Sequence, residues 1–416
     1  MNLFKTSVLN GIAVLIKTAT MLILNKILAI YVGPSGYAAI GQFQNFIQIL
    51  TTFAGGAVNT AVVKYTAEYH EDVSRQRTIW KTAGSIILIF SIIASILIVI
   101  FQKPLSLYIF KSIEYESIFV WFAVFLVFFN FNALFLAILN GKKEILKLVI
   151  ANIAGSIFSL VVTGFLAFKF KLYGALVALS INQSIIFLVT FILCYKSEWF
   201  KVEYLFGKID THNFRKILNF ALMTITSVFF GNIAQILLRN LIIEKFDLEH
   251  AGYWDAMTRL SGGYLMFAST TLVIYYLPRL SELKKYQDIK NEVRTGYKLI
   301  LPIAALCSLL IYVFQDVVIS LLFTKDFSPM KELMLWQLIG DVVKIGSWIV
   351  SFMMLSKAMT KIFIFTETFF ALSIIPLTMM CIHYFGFKGI AIAFTLNCLL
   401  YWIICSYFSF RKLKGI

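Results

Sequence analysis

Apolar blocks long enough to cross a bilayer recur along the whole chain, and this recurrence limits the fold more than any motif does. A helix needs about 20 predominantly apolar residues to span the hydrocarbon. Such blocks fall near 8–31, 38–66, 79–101, 117–140, 146–168, 174–195, 214–243, 252–278, 296–315, 331–356, 361–384 and 388–410. About twelve transmembrane helices follow, and the fold class is an all-α polytopic membrane protein. Turn signals separate the blocks: Gly33-Pro34-Ser35-Gly36, Gly141-Lys142-Lys143-Glu144, and Lys169 to Gly174. The first block is long, is interrupted by Lys17 and Lys26, and lacks a small-residue cleavage site. It is expected to remain as the first span and not to be removed as a signal peptide.

With 60% hydrophobic and 14% charged residues, the connections leave no room for a soluble domain. The net charge of +16 would suggest nucleic acid in a soluble protein. Here loop placement accounts for most of it, and no nucleic-acid partner is expected. If the N-terminus is cytoplasmic, Arg75, Arg77, Lys142, Lys143, Lys196, Lys285, Arg294 and Arg411 all fall inside. The full distribution is about 23 cations inside against about eight outside, so both termini are expected in the cytoplasm. The five cysteines (Cys194, Cys307, Cys381, Cys398, Cys405) show no CxxC spacing and read as buried free thiols. His70, His212, His250 and His383 are isolated, and no Gly-rich phosphate loop occurs. No metal, cofactor, ATP use or enzymatic reaction is expected.

The two halves are alike. GALVALSIN (Gly174 to Asn182) aligns with GIAIAFTLN (Gly389 to Asn397), and LNGKKEILKL (Leu139 to Leu148) aligns with LSKAMTKIFI (Leu355 to Ile364). Gly36-Tyr37 matches Gly252-Tyr253, again at an offset of about 215 residues. The expected organisation is an N-terminal six-helix bundle over 1–200, a cytoplasmic linker over 201–213 and a C-terminal six-helix bundle over 214–416. Six spans per half is an even number, so the halves share one orientation and relate by a pseudo-two-fold axis along the membrane normal. A substrate path between the bundles is the expectation.

Charged groups inside these spans mark the candidate site. In Leu335 to Ser351, Gln337, Asp341, Lys344 and Trp348 follow at i, i+4, i+7 and i+11, on one stripe. A charge facing lipid costs roughly 3 kcal/mol on insertion scales, so the stripe must look into protein or a watery cavity. Lys17, Lys26, Arg239, Arg259, Lys298 and Lys344 are the membrane-embedded cations. Lys298 is expected to snorkel, and Lys26 and Arg239, near outer helix ends, either snorkel or line the cavity. Lys17 and Lys344 are mid-span and are the strongest cavity candidates. Asp255 and Arg259, one turn apart, are expected to pair, as are Asp341 and Lys344. Gln42, Asn45, Gln48, Thr52, Gly56 and Asn59 form one broad polar face of the second span. Glu367 has no cation within a turn of its helix, so it either takes a proton or coupling ion or is a hydrogen-bonded carboxyl. The excess of cations over acids at depth suits an anionic passenger: Lys17, Lys344 and Arg259 toward a diphosphate, and Gln42, Asn45 and Gln337 toward sugars. Lys26, Arg239 and Asp341 complete the expected substrate-binding set.

Lys17, Lys64-Tyr65 with Tyr69-His70, Leu277-Pro278 with Leu280-Ser281, and WQLIGDVVKIG (Trp336 to Gly346) carry a family resemblance. On these residues the chain resembles the Wzx family of bacterial lipid-linked oligosaccharide flippases. That family belongs to the superfamily of MATE multidrug exporters and lipid II flippases. The likeness covers essentially the whole chain and is nearest to the enterobacterial common antigen and O-antigen branches. It implies two six-helix bundles opening alternately to each side, and an undecaprenyl-pyrophosphate-linked oligosaccharide moved from the cytoplasmic to the periplasmic leaflet of the inner membrane. A proton or sodium gradient as driving force, and a polysaccharide polymerase and chain-length regulator as partners, are further implications of the resemblance. It gives no specific support to Asp255 or Arg259. Two other readings compete: an ion-coupled MATE-like exporter of small amphipathic compounds, which would need an essential bare carboxylate, and a non-transporting scaffold, which would need no deep cations.

Overall fold

A computed structural model gives the structure of the protein and describes residues 3–413 apart from 208, 273–275, 277–278, 281–282, 284 and 358. Leu277, Pro278 and Ser281, which the family resemblance singles out, lie outside the described residues. The chain divides into two compact units, Met1–Asn232 and Ile233–Ile416.

In the first unit, α1 (Leu3–Tyr31) is followed by α2 (Gly33–Thr51), whose start is set by Pro34. A π-turn over Thr52–Gly56, with Gly55 at φ 152°, bends the path into α3 (Ala57–Glu68). A Cβ at Gly55 would stand 2.6 Å from the Ile87 side chain, so both the dihedral and the close approach require glycine. The polar face expected along the second span is therefore not one straight stripe, because the π-turn rotates its two halves relative to each other. The α4 helix (Val73–Ile100) starts at Asp72, whose carboxylate caps the amide of Arg75 at 3.0 Å. A short α5 (Gln102–Phe110), α6 (Glu116–Gly141) and α7 (Ile145–Tyr195) follow.

In the second half, α8 (Thr211–Lys245) bridges the unit boundary and α9 (Leu248–Thr271) begins at an Asp247 cap. Then come α10 (Tyr286–Val313), a short α11 (Gln315–Leu322), α12 (Lys331–Ser356), α13 (Thr360–Phe385) and α14 (Gly389–Leu413). Eight helical stretches of the described residues are long and apolar enough to cross a membrane. Two of these are double. Residues 145–195 break at Lys171 (φ 50°, ψ −129°), and 360–413 break at Gly386 (φ 61°, ψ −143°). With the more polar α8 and α9, these give the twelve spans read from the sequence. The short α5 and α11 lie where sequence reasoning placed only loops.

The two breaks are 215 residues apart, which is the repeat offset read from the sequence, and they share one unusual backbone conformation. The glycine three residues after each break repeats too. A Cβ on Gly174 would lie 2.0 Å from the carbonyl oxygen of Leu166, and one on Gly389 would lie 2.3 Å from that of Cys381. Only glycine lets the returning helix lie this close to the one before it.

One core of the first unit gathers Trp80, Phe135, Ile138 and Val62 around a bond from Trp80 Nε1 to Thr66 Oγ1 at 2.9 Å. Phe200 and Leu205 join that core, and Ser85 bonds to both backbone groups of Gly207. The segment expected as a linker thus lies packed on the first unit over this stretch. In the second unit the core is Leu272, Ile349, Val350, Met353 and Tyr401.

Candidate functional site

In the first unit, Lys17 projects from α1 into a cavity of about 300 Å³ bounded by α1, α6 and both legs of α7. The lining is polar at Asn132, Asn152, Ser156, Ser159 and Gln183. Among the described residues Lys17 has no ion-pair partner. Lys26 is half-buried further along α1, with partners of its own. Gln42 is buried and partnered, and Asn45 keeps a buried Nδ2 without a hydrogen bond.

The second unit carries a denser polar network. Asp341 on α12 is fully buried and accepts from Ser261 Oγ at 2.6 Å, from the Tyr264 hydroxyl, and from Gln337 Nε2 at 3.3 Å. Two of these donors come from α9, which packs across α12. Lys344 is half-buried, with its Nζ 5.5 Å from the Trp348 ring and 5.4 Å from that of Phe394. It lies within electrostatic reach of Asp341 but is not in direct contact with it. The expected Asp341–Lys344 ion pair is therefore replaced by three neutral donors. The aromatic faces leave the ammonium partly desolvated with no carboxylate against it.

Asp255 was expected to pair with Arg259 one turn on. It is bound instead by Arg239 of α8, with Nη2 to Oδ1 at 2.6 Å and Nε to Oδ2 at 2.7 Å. Both side chains are buried, and the guanidinium lies 5.3 Å from the Trp254 ring. From the neighbouring helix Arg239 closes on the carboxylate with two nitrogens at once, the bidentate geometry of a strong charge-assisted pair. Arg239 thus points into the bundle and does not snorkel outward. Arg259 stays half-buried within electrostatic range of Asp255 and has partners of its own. Glu367 on α13 is half-buried and accepts from the Tyr401 hydroxyl of α14, with Lys344 in electrostatic range.

The structure therefore brings Gln337, Asp341, Lys344 and Glu367 into one region of the second unit. It withdraws Arg239 into a structural pair. Sequence reasoning missed Ser261, Tyr264 and Tyr401, whose polar atoms meet the acids only across helices. It also missed Asn132, Asn152 and Gln183, although polar amides inside apolar blocks were a visible signal.

The signature of a family described as polysaccharide biosynthesis protein matches residues 3–284. The lipid III flippases of Escherichia coli (strain K12) and Shigella flexneri are each 27% identical to the chain over 410 residues, covering 97% of both proteins. Among solved structures, an inward-facing multidrug resistance MATE transporter superposes with a TM-score of 0.77 at 17% identity, covering 96% of this chain and 95% of that one. A lipid II flippase in an inward closed conformation superposes with a TM-score of 0.73 at 14% identity, over 99% and 90% of the two chains. The fold is thus that of the MATE-like transporters.

Proposed function

The chain belongs to the polysaccharide biosynthesis protein family, and from that premise we propose that it is a flippase for an undecaprenyl-pyrophosphate-linked oligosaccharide. It moves this lipid from the cytoplasmic to the periplasmic leaflet of the inner membrane by alternating access. The observation that carries the reading is end-to-end similarity to the lipid III flippases, with no large gap in either chain. The chemistry agrees. A diphosphate and its sugars cannot enter hydrocarbon unaided, because each buried unpaired polar group costs kilocalories. Lys17 and Lys344, both without a contacting carboxylate among the described residues, offer charge to the diphosphate while the polyprenyl tail stays in lipid. Arg259, Gln42, Asn45 and Gln337 complete the proposed path. The work is conformational, with no covalent step.

Glu367 is the proposed ion-coupling group. Its carboxylate is held by one hydroxyl and faces a lysine, so taking a proton would change the local charge beside Lys344. O-antigen or enterobacterial common antigen repeat units are the proposed cargo, with a polymerase and a chain-length regulator downstream. Deletion tests the reading. Surface glycan should disappear while its lipid-linked precursor accumulates on the cytoplasmic side. Lys17→Ala and Lys344→Ala should each abolish export at normal protein abundance. Full export by both variants would remove these lysines from the mechanism.

A further inference from the structure

Ser91 of α4 donates to the carbonyl oxygen of Ala54 in the π-turn at 3.2 Å and accepts from Asn130 Nδ2 at 2.9 Å. With the Ile87 side chain seated against Gly55, this contact fixes α4 to the bend in the second span. Beyond it, toward α5, a groove of about 360 Å³ opens between α2 and α4. Phe46 and Leu50 form one wall and Phe90, Leu97 and Phe101 the other, with Leu105 of α5 at the far end. Ala54 and Ala94 are the small side chains of the lining, and every side chain in it is apolar. Packing does not account for this hollow, because a larger residue in place of Ala94 would fill it. Water does not fill it either, since it would find no polar partner there.

The groove opens onto an exposed apolar face of α4 (Ile89, Ile92, Ile96 and Ile100), the face that a spanning helix turns to lipid. From Phe90 to Phe101 it follows about 16 Å of helix, and one leaflet of hydrocarbon is about 15 Å deep. At the outer end Lys103 stands exposed in the first turn of α5, between the lining residues Phe101 and Leu105, and α5 carries no acid. A leaflet-deep apolar slot with a cation at its mouth has the chemistry of one lipid chain below a phosphate. We infer that the groove binds one anionic glycerophospholipid, with an acyl chain between α2 and α4 and its phosphate at Lys103. A polyprenyl chain shares the apolar requirement but is much longer than one leaflet, and the groove stops where α4 meets the π-turn. The bound chain rests on Phe53 and Ala54 of the π-turn, so occupancy supports the bend that divides the second span. The inference is independent of which lipid the protein moves.

The full chain in maltoside detergent is titrated with phosphatidylglycerol, phosphatidylcholine and undecaprenyl phosphate, and bound lipid is counted by native mass spectrometry. One phosphatidylglycerol should stay on each chain, retained roughly fivefold better than phosphatidylcholine, the worth of one cation at a membrane surface. Ala94→Phe fills the groove and should remove most of that lipid. Lys103→Gln should keep a bound chain but erase the preference between the two head groups. Ile96→Phe, on the exposed face of α4 outside the lining, should retain lipid as the wild type does. Phosphatidylglycerol with a photoreactive acyl chain should label the wild type within 90–105, a readout that needs no variant to fold. Labelling confined to other helices overturns the site. Equal retention of both phospholipids that survives Ala94→Phe marks a general lipid coat and overturns it too. Displacement of phosphatidylglycerol by an equal concentration of undecaprenyl phosphate, itself lost in Ala94→Phe, overturns the phospholipid assignment and gives the groove to a polyprenyl chain.

Discussion

Asp255 and Asp341 are both buried in the second unit, but one is paired with a guanidinium and the other is hydrogen-bonded by three neutral donors. The difference predicts different costs. Arg239→Ala leaves a buried carboxylate unpaired and should destabilise the protein by about 3–5 kcal/mol. Arg239→Met combined with Asp255→Leu removes both charges and should recover most of that loss, read as melting temperature in detergent. A double variant no more stable than Arg239→Ala would show that the pair contributes more than charge compensation. At Asp341 the argument runs through acceptors. Asp341→Asn keeps an oxygen for Ser261 and Tyr264, so it should melt near the wild type, whereas Asp341→Ala strands three donors at about 1–3 kcal/mol each. If the charge beside Lys344 matters, Asp341→Asn should still lose export. The stripe from Gln337 through Lys344 was legible because i, i+4, i+7 spacing fixes a face. Its partners were not, because Ser261 and Tyr264 are 80 and 77 residues away and only tertiary packing brings them near. The same blindness paired Asp255 with the nearest cation in sequence and not with Arg239.

At the scale of the helix, apolar blocks located all twelve spans, since a membrane demands that length of apolar chain whatever the neighbours are. The short α5 and α11 escaped because eight or nine residues are too short to leave a span-length signal. The breaks at Lys171 and Gly386 were visible only as polar interruptions, yet their backbone is the more informative feature. A positive φ with ψ near −130° is a region nearly confined to glycine, and a side chain held there costs about 1–3 kcal/mol. The second half meets the requirement with Gly386; the first half places Lys171 in it. Lys171→Gly should therefore raise the melting temperature, and Gly386→Lys should lower it. Gly174→Ala and Gly389→Ala should both reduce folded yield, because each Cβ would collide with a backbone carbonyl that cannot swing aside. Equal tolerance of alanine at both sites would mean that the helix pairs are looser than these contacts imply.

For the whole molecule, the internal repeat and the cation pattern together predict how the chain sits in its membrane. Twelve spans put both termini on one side, and the clusters at Arg75–Lys81, Lys142–Lys147, Lys196–Lys201 and Lys285–Arg294 fall in alternate connections. The tight break at Lys171 falls between the second and third of those clusters, and the one at Gly386 falls between Lys357–Lys361 and Arg411–Lys412, at the opposite surface in each half. The repeat also shows where the halves diverged. The stretch of the first half corresponding to Gln337–Lys344 lies near Trp121–Phe129 and is built of aromatic and aliphatic residues, with Phe122 and Leu126 fully buried. The same helical position is thus core in one unit and a charged network in the other, and the first unit's cation comes from α1 instead. Orientation decides whether these charges meet a substrate arriving from the cytoplasm. Single cysteines at Lys143 and Lys285, in a background with the native cysteines replaced by serine or alanine, should react with a membrane-impermeant maleimide only after the inner membrane is opened. Cysteines at Lys111 and Lys388 should react in intact spheroplasts. The reversed pattern would leave the fold untouched but would turn the proposed direction of transport around, because the cation-rich ends that gather an anionic head group would then face the periplasm.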